Sequence, residues 1–231
     1  MMTIFRQAAT TTLLILLASV APSHAGRPRD PVSSSEWRPL FDGRSLDGWE
    51  HVGPGKFVIE DGLLRTEGGM GLLWFAREKL GDCIVRVVYK TAGERSNSGV
   101  YIRIADKPID PWYAVHHGFE VQIMDQGSEG RSTGSIYTFS KASARPFKPG
   151  EWNTLDITLK GNRVITTING VQVTDFDSSD LKPESTDTTG EGDPARGPRP
   201  QSGYVGLQNH DGESIVFFKE VAVRPLPVAP R

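Results

Sequence analysis

The sequence predicts an all-β chain, an antiparallel two-sheet sandwich of the jelly-roll kind, on three observations. Short β-prone runs separated by turn signals follow one another along most of the chain. No amphipathic helical stretch of ten or more residues interrupts them. Two hairpin signatures, "LKGNRV" and "TINGVQV", lie between runs, the second with an Asn169-Gly170 pair suited to a tight turn that needs positive φ. A length of 231 residues with 25 Gly and 16 Pro fits one such domain. A closed barrel is the weaker alternative.

The chain opens on an export signal. Arg6 supplies positive charge, "TLLILLASVA" is a short apolar run, and "SHA" ends in small residues at Ala25. The run is too short for a membrane-spanning helix, so residues 1–25 read as a cleaved signal and no stable membrane insertion is expected. The expected location is periplasmic or extracellular. A Pro/Ser-rich linker occupies 26–35, and the domain itself is expected over 36–226. The formal charge of -2 becomes -3 once Arg6 is removed. Such near-neutrality, with no Gly-rich phosphate loop and no basic aromatic strip, gives no support for a nucleic-acid partner. The single cysteine, Cys83, permits no intrachain disulfide. In "GDCIVRVVYK" it shares parity with Val85, Val87 and Tyr89, so it reads as a small buried hydrophobe.

Within the domain, "FDGRSLDGW" supplies two turns, Asp42-Gly43 and Asp47-Gly48, and Trp49 as an anchor. The strand candidates are then "KFVIEDGLLRTE", "CIVRVVYKT", "GVYIRIA", "FEVQIMD", "GSIYTFS", "WNTLDITLKG", "RVITTING", "YVGLQNH" and "SIVFFKEVAVRPL". Trp152 reads as core or sheet-edge packing. Residues 178–203 are polar and rich in Gly and Pro. A loop of that length is usually functional or disordered, and its place just before "YVGLQNH" would suit a lid or site wall.

Side-chain parity then locates a candidate site. In "FEVQIMD", Phe119, Val121 and Ile123 share one face and Glu120, Gln122 and Met124 the other. In "GVYIRIA", Tyr101 and Arg103 oppose Val100, Ile102 and Ile104. In "YVGLQNH", Tyr204, Gln208 and His210 oppose Val205 and Leu207. If the three strands are neighbours, Arg103, Glu120, Gln122, Gln208 and His210 line one concave face. The alternative for each residue alone is a solvated outer face; convergence of all five favours a site. Such a groove suits a sugar, whose hydroxyls need donors and acceptors and whose apolar faces need aromatic rings. Trp112 and Tyr113, in the loop "DPWYAVHHG", are placed to supply the rings. His116 and His117 read as surface histidines sooner than as metal ligands, since no ligand pair stands at a distinctive spacing.

The ordered set "WRPLFDGRSLDGW", "NSGVYIR", "GFEVQIMD", "TGSIY", "GEWN", "NGVQV" and "GLQNH" resembles the bacterial family of 3-keto-disaccharide hydrolases, over about Trp37 to Arg224. The resemblance implies a concanavalin-like jelly roll and cleavage of glycosides already oxidised at C3. A ketone at C3 acidifies the C2 proton. A base can remove it, the C1 substituent is expelled, and water adds back. By residue type, Glu120 would be the base, Arg103 or a divalent metal would hold the enolate oxygen, and His210 would donate the proton. Tyr101, Gln122, Gln208, Trp112, Tyr113 and Asp125 would bind the sugar.

Two rival functions use the same fold. One is a direct glycosidase pairing Glu120 with Asp125. It needs carboxyls roughly 5 to 5.5 Å apart, against a backbone separation of roughly 16 Å and opposite parities. The other is a carbohydrate-binding module without chemistry, which needs no base.

Overall fold

In a computed structural model, the described residues are 36–128, 130–179, 181 and 197–227. The expected signal at 1–25 and linker at 26–35 lie outside them. The described chain folds as a two-sheet antiparallel jelly roll with one short helix, and the expected architecture holds. The strands are β1 Arg38–Phe41, β2 Trp49–Val52, β3 Lys56–Glu60, β4 Leu63–Glu67, β5 Gly71–Phe75, β6 Cys83–Thr91 and β7 Asn97–Ile104. After helix α1, Trp112–His117, come β8 Phe119–Met124, β9 Asn153–Lys160, β10 Arg163–Ile168, β11 Val171–Asp177, β12 Tyr204–Asn209 and β13 Val216–Pro225.

The larger sheet runs β11-β10-β9-β6-β13-β4-β3, with β1 also pairing β13; the smaller runs β2-β5-β12-β7-β8. Strands β6 and β9 alternate strictly between buried residues and half-exposed or exposed ones, as a strand with one face on the core and one toward water must. Val100, Ile102, Val121, Ile123, Val205 and Leu207 all face the inter-sheet core, where parity put them. Cys83 joins that core, and burial pushes its thiol up to about 12, which removes it as a nucleophile at neutral pH.

The turns follow local chemistry. Asn169 and Gly170 have φ of 50° and 83°, the left-handed pair that joins β10 to β11. Asp42 accepts hydrogen bonds from the backbone N–H of Arg44 and Ser45, and the Trp49 indole donates to Leu40 O at 2.7 Å. Trp152 is 36 % exposed, beneath the ammonium groups of Lys90 and Lys219, a surface position in place of the packing expected for it.

Strands β1, β2 and β5 were not anticipated. The first two are four residues long, and β5, "GLLWF", is buried on both faces, so it shows no alternation. Conversely, "GSIYTFS" is no strand. Residues 133–137 run along the outer edge of β8, where Gly134 N donates to Gln122 O, Gln122 N to Ser135 O and Tyr137 N to Glu120 O, each at 2.9 to 3.0 Å. That covers an edge which would otherwise be open for pairing with another chain. Gly134 O then accepts from Thr166 and Thr174, tying the segment to the larger sheet.

Candidate active site

Register places the site residues in rows across the outer face of the smaller sheet. Gly206 faces both Trp74 and Tyr101, and Tyr101 faces Glu120. Along the next row of that face, Gln208 aligns with Leu72, and Gly99 with Gln122. A row further on, Asn97 pairs with Met124. Helix α1 covers one end of this face: Ala114 and Val115 pack on Leu72, Trp74, Tyr101 and Ile104. What α1 leaves open is a groove of about 620 Å³, with Glu120, Gln122, Gln208 and Asn97 in its floor. Trp112, Val115 and Met70 contribute apolar surface, and Arg131, Tyr137, Met124 and His210 complete the lining.

Glu120 sits in this floor with 6 % of its surface exposed. Its side chain leans across Gly99 of the neighbouring strand. A Cβ there would collide with the carboxylate, with Cγ at 2.7 Å and Cδ at 2.8 Å, so glycine is what gives the carboxyl its place. Burial pushes the Glu120 carboxyl up to about 8, against the opposing effect of the hydrogen bond from Tyr101. His210 stands at the exposed rim with Nδ1 2.7 Å from Asp211 Oδ2. Asp211 is held in turn by the backbone N–H of Glu213 and Ser214 and by the Ser214 hydroxyl. His210 itself belongs to the groove lining.

Five of the nine expected site residues meet here: Glu120, Gln122, Gln208, His210 and Trp112. The other four lie elsewhere. Arg103 is turned away by a β-bulge. Tyr204 pairs with Ile104 and Gly206 with Tyr101, so β7 carries one more residue than β12 in that interval, and the extra residue reverses parity beyond it. Arg103 takes the left-handed conformation, φ 56°, and donates to Gly161 O at 3.0 Å, with Asp82 Oδ1 3.9 Å away. It therefore cannot hold an enolate in the groove. The same reversal moves Ile104 from the expected inter-sheet face to the cluster under α1.

Asp125 faces the opposite side of β8 from Glu120, buried and accepting from Thr91 at 2.8 Å and Thr133 at 2.9 Å. It lies outside the groove lining, and the direct-glycosidase pair with Glu120 is not assembled. Tyr101 is fully buried beneath the groove and reaches it through Glu120 and Gln208. Tyr113 stacks on His117, ring centroids 4.3 Å apart, outside the lining. The segment "WYAVHH" is a short helix in place of the expected loop, with His116 buried and His117 exposed.

Arg131, Tyr137, Asn97 and Met70 were missed. Tyr137 lies in the segment folded along β8 and Arg131 in the turn that leads into it, whose approach no strand periodicity reports. Asn97 shares parity with Gly99 and Tyr101 and was within reach of the same argument. Among the described residues no three His, Cys, Asp or Glu side chains converge as a metal site, so no step below is assigned to a divalent ion. Of the 178–203 loop, the described part runs past the site without lining it. Arg199 donates to Gly118 O at 2.8 Å, and Gln201 to Asn162 Oδ1 at 2.8 Å. The remainder lies outside the described residues.

Comparison with known families supplies the setting for this groove. The model of the 3-keto-alpha-glucoside-1,2-lyase-like domain matches residues 36–224. The chain belongs to the 3-keto-alpha-glucoside-1,2-lyase-like family. The chain is similar to the 3-keto-disaccharide hydrolase of Bacteroides thetaiotaomicron, 24% identical over 85% of this chain and 80% of that protein. In solved structures, a Parabacteroides distasonis protein assigned as a glycosyl hydrolase superposes with TM-score 0.67 at 26% identity, over 83% of this chain and 100% of that one. A Bacillus subtilis protein with a galectin-like fold gives 0.57 at 14% identity, over 82% and 94%. This lyase-like chain is thus a carbohydrate-active, hydrolase-like protein on a lectin-type jelly roll.

Proposed function

We propose that the protein cleaves 3-keto-glycosides by removal of the C2 proton, elimination and rehydration, and that it does so after export to the periplasm or the cell exterior. The observation that carries this reading is a single buried carboxyl, Glu120, in the floor of a sugar-sized polar groove, with the second carboxyl of a direct glycosidase turned into the core. A base whose conjugate acid sits at about 8 is stronger than an ordinary carboxylate and still available near neutral pH.

The steps are these. The Glu120 carboxylate takes the C2 proton, and the electron pair moves through C2–C3 onto the ketone oxygen. Arg131 is the permanent cation of the described lining and takes the stabilising role first expected of Arg103. The enolate collapses back to the ketone, a C1–C2 double bond forms, and the C1–O bond breaks. His210, oriented by Asp211, gives a proton to the leaving oxygen. Water then adds at C1 and gives a proton back to His210, while Glu120, whose proton exchanges with solvent in the intermediate, protonates C2, so the net result is hydrolysis.

The test compares a 3-keto-glycoside with its unoxidised parent. Glu120→Gln should lower turnover by about 10²-fold or more, the scale of positioned acid–base catalysis. Arg131→Ala should lower it as well, while deuterium from solvent enters C2 of the released sugar. Near-normal turnover in Glu120→Gln removes that residue as base. Product formed without C2 exchange argues for displacement at C1, and sugar binding without turnover of either glycoside argues for a binding module.

A further inference from the structure

One hydrogen-bonded chain runs under the groove. Gln208 Nε2 donates to the Tyr101 hydroxyl at 2.6 Å, and that hydroxyl donates to Glu120. The three residues are 3 %, 0 % and 6 % exposed. A tyrosine hydroxyl has one proton, so when it gives that proton to the Glu120 carboxylate, the form that acts as base, it must accept from Gln208. In that state the amide has its NH₂ toward Tyr101 and Oε1 directed elsewhere. Gln208 Oε1 is buried and has no hydrogen-bond partner, and Gln208 lines the groove. An unpaired buried acceptor costs about 1–3 kcal/mol, a cost a ligand donor would remove.

We infer that Gln208 Oε1 accepts a hydroxyl of the bound sugar, and that Gln208 and Tyr101 are positioning residues joining that hydroxyl to Glu120. The assignment rests on Glu120 being the base of the preceding reading. It also orients the substrate. An amide oxygen accepts and cannot donate, so it pairs with a ring carbon that still bears a hydroxyl and never with the ketone. The oxidised carbon must point elsewhere in the groove, toward Arg131. Binding at Oε1 polarises Nε2–H and then the Tyr101 hydroxyl, since hydrogen bonds in a chain reinforce one another. Sugar recognition and the strength of the base are thereby linked.

Among the described residues, the charged and titratable groups that line the groove with Glu120 or bond to it are Tyr101 on β7, Tyr137 in the segment along β8, Arg131 in the turn that leads into it, and His210 beyond β12. Helix α1 contributes only the neutral Trp112 and Val115 to the lining. The first test needs no substrate. With glutamate labelled at its carboxyl carbon, NMR titration of the free protein should place Glu120 near 8 and Tyr101→Phe higher, because the donor that favours the carboxylate is gone. Gln208→Leu should give a smaller rise. An unchanged midpoint in Tyr101→Phe overturns the chain.

The second test uses methyl 3-keto-α-glucopyranoside and its 4-deoxy and 6-deoxy forms. One deoxy form should lose at least about tenfold in kcat/KM with the native protein, and that loss should vanish in Gln208→Leu. Losses that simply multiply refute the contact. If the native protein turns over none of these glycosides, the 3-keto reading itself fails, and the titration still decides whether Tyr101 controls Glu120.

Discussion

Glu120 is expensive to keep where it is. Its folded value of about 8 stands above the ordinary 4.5, so between those limits the unfolded chain releases a proton that the folded chain retains. The stability associated with the neutral carboxyl is full below about pH 4.5 and is lost as pH rises through about 8. Glu120→Gln removes this linkage, keeps an acceptor for Tyr101, and should be more stable than the native protein by an amount that grows with pH to a few kcal/mol. Urea titrations of both proteins at pH 5 and pH 8.5 measure it. A stability gap that does not change with pH refutes the placement of a buried, neutral Glu120. The same residue thus limits stability and supplies the proposed chemistry.

At the level of elements, the bulge in β7 decides which residues reach the groove. It is held by close backbone approach: a Cβ on Gly203 would lie 2.5 Å from Arg103 Cα and 2.8 Å from Ile104 N. Gly203→Ala must push the two strands apart, and about 1–3 kcal/mol of stability should be lost in denaturant unfolding. Gly81→Ala, where a Cβ meets nothing within 4 Å, is the control and should change stability by less than about 0.5 kcal/mol. Equal effects in the two variants would show that the Gly203 approach is not tight. The bulge also explains why parity succeeded on β8 and failed on β7. Alternation holds for Phe119 to Met124, which pair without interruption, and breaks after Ile102, where one inserted residue reverses every side chain that follows.

For the whole molecule, the larger sheet backs the core while the smaller one presents its outer face, and the segment along β8, with the turn that leads into it, both protects an edge and supplies Arg131 and Tyr137 to the groove. The proposed export is tested on the full chain. Protein recovered from the exported fraction should begin at or near Gly26 when its N-terminus is sequenced, whereas a cytoplasmic product retaining Met1 would refute the signal.

The sequence by itself determined what depends on neighbours in the chain: the hairpins, the alternation in β6, β8 and β9, the buried Cys83, and the side of β8 on which Glu120 and Gln122 lie. These follow from a two-residue period and from turn residues with positive φ, both local properties. Only the tertiary structure decided that Arg103 turns toward Gly161, that Asp125 is tied to Thr91 and Thr133, and that Arg131 takes the cationic place in the groove. Each of those outcomes depends on a partner far away in sequence. The bulge exists only in the register of β7 against β12, and Arg131 arrives by a loop whose course is set by the open edge of β8. Periodicity along one strand carries no record of such pairings, because backbone hydrogen bonds between strands, and not side-chain pattern within one, fix where an extra residue is absorbed.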